Sequence, residues 1–335
     1  MQEALFWEQV GEGKVRCRLC PHDCLIAEGR SGVCRVRKNF EGRLYTLVYG
    51  ELAAIHSDPV EKKPLYHFYP GREILSIGTY GCNLRCSFCQ NHNISQADPE
   101  TAWAASEIST SGLVAKATHI PGNLGMAFTY NEPTVYYEFM WNTAAGIKAA
   151  GLSNVVVSNG YISRKPLEKL LEVADAFNID LKSFNEDFYR KMTGGSLNPV
   201  LETLETIAKA GKHLEITLLV IPGLNDSDEE FDRMTGWIAD KLGPDVPLHL
   251  SRYFPAYMLS LPPTPIRILN RFYASASEKL HYVFTGNVSD GDHSSTFCPD
   301  CRTELIHRNR YDITITGLTG EGKCSRCGTG IPVRM

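Results

Sequence analysis

Eleven cysteines fall into three groups with none left over: Cys17, Cys20, Cys24 and Cys34; Cys82, Cys86 and Cys89; and Cys298, Cys301, Cys324 and Cys327. In a reducing compartment such grouping points to metal ligation ahead of disulfides. The middle group lies in Gly81-Cys82-Asn83-Leu84-Arg85-Cys86-Ser87-Phe88-Cys89-Gln90-Asn91, with spacing C-x3-C-x2-C. A loop of this size can bend three thiolates around one cubic [4Fe–4S] cluster. Three ligands leave the fourth iron open, and an open position is what distinguishes a reactive metal site from a closed structural one. The competing reading is a zinc site completed by a nearby histidine such as His92.

The two outer groups have four thiols each and read as closed sites. Cys298-x2-Cys301 and Cys324-x2-Cys327 are two knuckles with 22 residues between them. That is the pattern of a zinc ribbon, with a rubredoxin-like iron site as the alternative. Cys17, Cys20, Cys24 and Cys34 have gaps of x2, x3 and x9. They suit zinc, the first choice, or an auxiliary [4Fe–4S] cluster, because four thiolates serve either.

These sites need elements to hold them. Between residues 72 and 285 short apolar runs alternate with helical stretches. Strands are expected at 72–78, 124–130, 154–159, 176–182, 213–220 and 246–254. Segments such as EPTVYYEFMWNTAAGIKAAG and PLEKLLEVADA between them carry helical spacing, with Gly151 as a C-cap. This rhythm predicts an α/β fold with parallel strands and right-handed crossovers, an open or partial (βα)6 barrel. Residues 1–71 form a Cys-rich metal-binding extension, and residues 286–335 a zinc-ribbon-like domain that opens on a GNVSDGD linker. Active sites of βα barrels lie at the C-terminal strand ends. There the chain offers Thr129-Tyr130-Asn131-Glu132, Ser158-Asn159-Gly160, Asp180-Leu181-Lys182, Ile221 to Asp226, and Ser251 to Phe254.

The cysteine loop, following directly on the first barrel strand, resembles the signature of the radical S-adenosylmethionine (SAM) superfamily. The resemblance implies that SAM chelates the open iron through its amino and carboxylate groups. One electron then cleaves a C–S bond to give methionine and a 5′-deoxyadenosyl radical. It places Phe88 near the adenine and calls for an electron donor such as flavodoxin or ferredoxin. SNG at 158–160, Asp180-Leu181-Lys182 and IPGLND at 221–226 resemble the TNG, DLK and VPGxxD motifs of the glycyl-radical-enzyme activating enzymes, including the pyruvate formate-lyase activator. That likeness implies a SAM site in which Ser158, Asn159 and Gly160 lie near the nucleoside. It puts Asp180 and Lys182 near the methionine end or the substrate, where opposite charges can satisfy a bound amino acid. Two departures stand out. Tyr130-Asn131-Glu132 replaces the Gly-Gly-Glu of those activators, leaving Glu132 to accept from the SAM amino group. Val157 and Ser158 stand in the region where the activators carry an acidic residue.

A wider likeness covers nearly the whole chain. Cys17-Arg18-Leu19-Cys20-Pro21-His22-Asp23-Cys24 with Gly29, Gly32 and Cys34, TYNEPT at 129–134 and the terminal CxxC pairs resemble the radical SAM member of the AmmeMemoRadiSam system. It implies hydrogen abstraction from an unidentified protein or small molecule, a protein substrate from that system being one candidate. A net charge of −4 gives no broad footprint for nucleic acid. The N-terminus lacks a signal-peptide pattern, and no run of about 18 apolar residues suggests a membrane span. A cytoplasmic enzyme is the expectation. The alternatives are an RNA-modifying enzyme of the same class, and an electron-transfer or scaffold protein without turnover. A polar rim and an open iron are features that a pure carrier does not need.

Overall fold

The computed structural model describes residues 1–97, 102, 106–288 and 293–335. At its centre is an eight-stranded sheet. In chain order its strands are β1 (Ala54–Pro59), β2 (Glu73–Gly78), β3 (Gly125–Phe128), β4 (Ser153–Ser158), β5 (Ala176–Asp180), β6 (His213–Val220), β7 (Leu248–Arg252) and β8 (Val283–Gly286). They lie side by side in that same order. From β2 to β8 every neighbour is parallel; β1 alone runs antiparallel, with Ala54 opposite Gly78 and Pro59 opposite Glu73. Sequential order with helical returns is the outcome of right-handed crossovers, each of which advances one strand.

All six expected strands are present, and the expectation of six is corrected to seven parallel strands. The seventh, β8, is only four residues long, too short to show a period. Part of the expected GNVSDGD linker, residues 289–292, lies outside the described residues. The helices returning the chain are α1 (Thr110–His119), α2 (Tyr137–Ala149), α3 (Arg164–Leu171), α4 (Asn198–Lys209), α5 (Asp228–Lys241) and α6 (Ile266–Ala276). In β4 and β6 most residues are buried, as expected of parallel strands covered on both faces. No helix among the described residues is long and apolar enough to cross a membrane.

The first 52 residues make small antiparallel sheets. Their buried side chains, Val15, Cys17, Leu19, Cys34, Val36 and Leu44 among them, join the same core as Ile77, Val135 and Tyr137. A buried ion pair secures this junction. Arg37 Nη1 donates to Glu138 of α2 at 2.9 Å, both side chains are at most 3% exposed, and Leu5 N donates to the same carboxylate at 2.7 Å. Removing one partner would strand a buried charge, at a cost of about 3–5 kcal/mol.

At the other end, β9 (Thr296–Phe297), β10 (Glu304–Asn309) and β11 (Asp312–Ile315) form an antiparallel sheet. Its core of Cys298, Leu305, Ile306, Cys324 and Ile331 also takes in Tyr282 and Phe284, at β8. Arg308 is 1% exposed, donates to Thr296 Oγ1 at 2.8 Å and lies 4.5 Å over the Tyr66 ring. Beside it, the fully buried Glu215 accepts from Tyr66 N, His67 N, His213 Nε2 and His249 Nε2. Burial alone would raise the Glu215 pKa, but the two histidines outweigh it and hold the carboxyl well below its usual range. Burial holds His67 neutral, with its pKa lowered to about 3.

Candidate active site

The loop from Gly81 to Asn91 begins just beyond the end of β2. Its backbone is fixed from outside: Arg85 N donates to Thr193 O at 2.7 Å, Ser87 N to Met192 O at 3.1 Å, and Ser87 O accepts from Met258 N at 2.9 Å. Gly81 has φ +84°, and a Cβ there would meet Cys34 O and Val36 Cγ1, each at 2.7 Å. The loop therefore turns against the N-terminal segment in a way that only glycine fits. Cys82, Cys86 and Cys89 all line one cavity of ≈ 340 Å³ at the C-terminal ends of the parallel strands.

Around the same cavity stand Phe88, Glu132, Ser158, Asn159, Asp180 and Lys182. Of the rim positions expected from the sequence, Thr129, Tyr130, Asn131 and Ser251 line it too, whereas Gly160, Leu181, Ile221 to Asp226 and Arg252 to Phe254 do not. Gly160 instead makes the turn beneath it: φ is +71°, and a Cβ would lie 2.9 Å from Ile179 Cγ2. Phe88 is buried against Phe188, ring centroids 5.9 Å apart.

Glu132 is 3% exposed. Its Oε1 accepts from Thr134 N at 3.0 Å, Thr134 Oγ1 at 2.7 Å and Ser158 Oγ at 2.8 Å; its Oε2 accepts from Asn159 N at 2.8 Å. Burial raises its pKa and these four donors pull it back. The carboxylate thus braces the end of β4, with one oxygen holding spare acceptor capacity. Asn159 in turn donates to Asn83 Oδ1 at 2.9 Å and approaches Cys82 Sγ at 3.7 Å. Lys182 Nζ and Asp180 Oδ2 are 2.9 Å apart, the lysine 14% and the aspartate 39% exposed. Burial would lower the Lys182 pKa, but Asp180 outweighs it, so the ammonium stays charged. Burial also raises the Cys82 thiol, and lifts Cys86 to about 11 against the pull of Lys182. As free groups both are thiols at neutral pH; metal binding releases their protons.

The donor set fits a cubic cluster better than one ion. Among the described residues, the group of three or more ligating side chains whose donor atoms all lie within 4.8 Å of one another is Cys298, Cys301, Cys324 and Cys327. There Sγ separations of 3.5 Å (Cys298–Cys327) and 3.6 Å (Cys301–Cys324) approach the tetrahedral spacing around one zinc, about 3.8 Å for Zn–S near 2.3 Å. Cys82, Cys86 and Cys89 do not form such a group, and three thiolates on one cavity suit three corners of a cubic cluster. His92 does not complete them as a zinc site: its ring stacks on Tyr257 at 4.8 Å and its Nδ1 sits 3.3 Å from Cys89 O.

One wall of the cavity escaped the sequence reading. Lys63 is 2% exposed, and its Nζ pairs with Asp58 Oδ2 at 2.8 Å and lies 4.7 Å over the Tyr130 ring. Tyr130 OH donates to the same Asp58 oxygen at 2.6 Å. Burial lowers the Lys63 pKa, although Asp58 opposes it. The signal available was slight, two lysines after a short polar strand.

A family model described as the Radical SAM superfamily matches residues 76–235. An uncharacterized protein of Methanocaldococcus jannaschii is 41% identical over 336 residues, 99% of each chain. The pyruvate formate-lyase 1-activating enzyme of Escherichia coli K12 is 25% identical over 167 residues, 48% of this chain and 66% of its own. Streptococcus suis SuiB, solved bound to S-adenosylmethionine, superposes with a TM-score of 0.52 at 13% identity, over 68% of this chain and 55% of that one; the likeness is one of fold. Residues 76–235 thus form a radical SAM domain, the domain of enzymes built around an iron–sulfur cluster and SAM.

Proposed function

We propose that this protein is the radical SAM enzyme of an AmmeMemoRadiSam system, and that its cavity binds SAM and directs hydrogen abstraction from a protein or small-molecule substrate. A [4Fe–4S] cluster held by Cys82, Cys86 and Cys89 supplies the electron that cleaves SAM to methionine and a 5′-deoxyadenosyl radical. The chain's own residues do the rest. Asp180 and Lys182 present opposite charges to the ends of the methionine moiety. Glu132 fixes Ser158 and Asn159, and Oε2 retains capacity for the SAM amino group. Asn159 spans the nucleoside side of the cavity and the cysteine loop, and Phe88 gives the adenine an apolar flank. Cys298, Cys301, Cys324 and Cys327 hold zinc outside this chemistry.

The observation that carries the reading is the meeting of three cluster thiols and an Asp180–Lys182 pair on one cavity of ≈ 340 Å³. A pure electron carrier has no use for a charged pair facing an open metal corner. The test is anaerobic reconstitution with iron and sulfide, then dithionite and SAM, with 5′-deoxyadenosine measured by chromatography. The parent should form it. Asp180→Ala should keep the cluster absorbance and bind SAM about tenfold or more weakly, the loss expected for one charge-assisted contact. Reconstituted protein that forms no 5′-deoxyadenosine would refute the reading.

A further inference from the structure

We propose that Cys17, Cys20, Cys24 and Cys34 hold a second [4Fe–4S] cluster, not zinc, and that this cluster is the port through which the electron reaches the catalytic loop. The first half stands on geometry alone; the second rests on the function proposed above.

The molecule carries its own standard for a zinc cage. The C-terminal sulfurs gather within 4.8 Å of one another; the N-terminal ones, all described, do not form such a group. In this they match Cys82, Cys86 and Cys89. Four thiols that ring a shared space without converging on a point are ligands for separate corners of a cube. All four cysteines line one hollow, together with Leu19, Ile26, Val135 and Arg37. Apolar walls exclude water from sulfide.

Arg37 is the independent sign of an anion there. It is 1% exposed and lines the hollow. Its Nη groups are spent on Glu138 and Leu5 O, while its Nε, also buried, has no hydrogen-bond partner among the described residues. A buried N–H is costly to leave unpaired. A cluster sulfur is an acceptor that would satisfy it, and the guanidinium would offset the net negative charge of a cluster with four thiolates.

The location argues for a relay. Cys34 O is the atom that Gly81 packs against, and Cys82 is the next residue. The hollow is also lined by Asn83 and Thr134. Asn83 accepts from Asn159, and Asn83 O lies 2.6 Å from His22 Nε2, inside the Cys20–Cys24 loop. The two cysteine sets are thus back to back across a single chain segment, and Cys20 and Cys24 are less deeply buried than Cys17 and Cys34. In the relay, a low-potential one-electron donor of the flavin or iron–sulfur class reduces the N-terminal cluster from the 2+ to the 1+ core. That electron passes to the loop site and is consumed in breaking one C–S bond of SAM, which returns the relay to 2+. No proton moves.

The test uses the full chain, reconstituted anaerobically. The variant Cys82→Ser/Cys86→Ser/Cys89→Ser removes the catalytic site and leaves the N-terminal thiols untouched. It should retain about four irons and about four acid-labile sulfides per chain, and give an electron paramagnetic resonance signal on reduction. Arg37→Lys placed in that background, which keeps a charge beside Glu138 but removes the Nε donor, should keep the iron and shift the signal to more negative potential. Iron-free triple variant with two zincs per chain would overturn the cluster, whether or not the parent cleaves SAM. Iron retained by the triple variant, with a parent that forms no 5′-deoxyadenosine, would instead refute the proposed catalysis and leave the cluster standing. For the relay, Cys20→Ser should slow SAM cleavage about tenfold or more when a flavodoxin-type protein donates, and less when dithionite, small enough to reach the cavity, does so. Equal losses with both reductants would overturn the relay.

Discussion

The two four-cysteine groups differ in almost every respect except ligand count. The C-terminal sulfurs converge on one point, and their sheet packs on β8 and on the Tyr66–Phe68 segment. The N-terminal sulfurs ring a hollow and share a chain contact with the catalytic loop. Ligand type alone is therefore a poor guide to what a cysteine group does. Convergence tells a closed ion site from a cluster site, and position relative to the strand ends tells a folding device from a participant.

The comparison is sharpest where the expected loss is greatest. Cys82→Ala, Cys86→Ala and Cys89→Ala should each reduce SAM cleavage to background, since a cluster lacking one of its three protein ligands is rarely held. Iron content and brown absorbance should fall with it, and robust 5′-deoxyadenosine from all three would undo the assignment. Next comes Glu138→Gln, which leaves Arg37 buried without a counter-charge. Denaturant titration should show a loss of about 3–5 kcal/mol, and hydrogen exchange should place it in residues 1–52 and α2, not in the tail.

Cys327→Ser should have the opposite signature. SAM cleavage stays within about twofold, because the group lies outside the cavity, whereas proteolysis opens residues 293–335, whose small core depends on metal. Zinc analysis should fall by one per chain. A large loss of turnover without unfolding would make the ribbon an electron port and erase the contrast.

The smallest effect is one of pH. His67 stays neutral in the fold down to about pH 3 but has an ordinary pKa when unfolded. The unfolded chain therefore binds the extra proton below about pH 6.5, and stability falls as pH falls, by roughly 2 kcal/mol at about pH 5. The depressed carboxyl of Glu215 adds a further loss as pH drops through the usual carboxylate range. His213, His249 and Arg308 face the same cluster. The thermal midpoint of His67→Asn should vary less between pH 7 and pH 5 than that of the parent.

Much of the catalytic half was legible because its signals are local. Three cysteines after a strand, and polar tripeptides at the ends of apolar runs, needed no knowledge of distant contacts. What escaped was tertiary. β1 reads AIHSDP, a polar run whose place at the sheet edge comes from pairing with β2. The Lys63–Asp58–Tyr130 wall joins residues 72 positions apart in sequence. Glu132 was legible as a rim carboxylate, but its four internal donors come from Thr134, Ser158 and Asn159, and only the fold brings the last two to it. The spacing of Cys17 to Cys34 carries no distance between sulfurs, so the sequence left zinc and a cluster both open there.

The seat of Gly81 also sets an order of assembly. Its neighbours there, Cys34 O and Val36, belong to a segment translated earlier and tied down by Val36, Leu44 and Arg37. Until that segment has folded, the turn at Gly81 lacks the wall it packs on. Maturation should proceed from the N-terminus: limited iron supplied to the apoprotein fills the ring of Cys17 to Cys34 first, and the loop of Cys82 to Cys89 afterwards. Gly81→Ala should uncouple the two, leaving a chain that loads its early site at the normal rate and stalls at the later one, as time-resolved Mössbauer sampling would show.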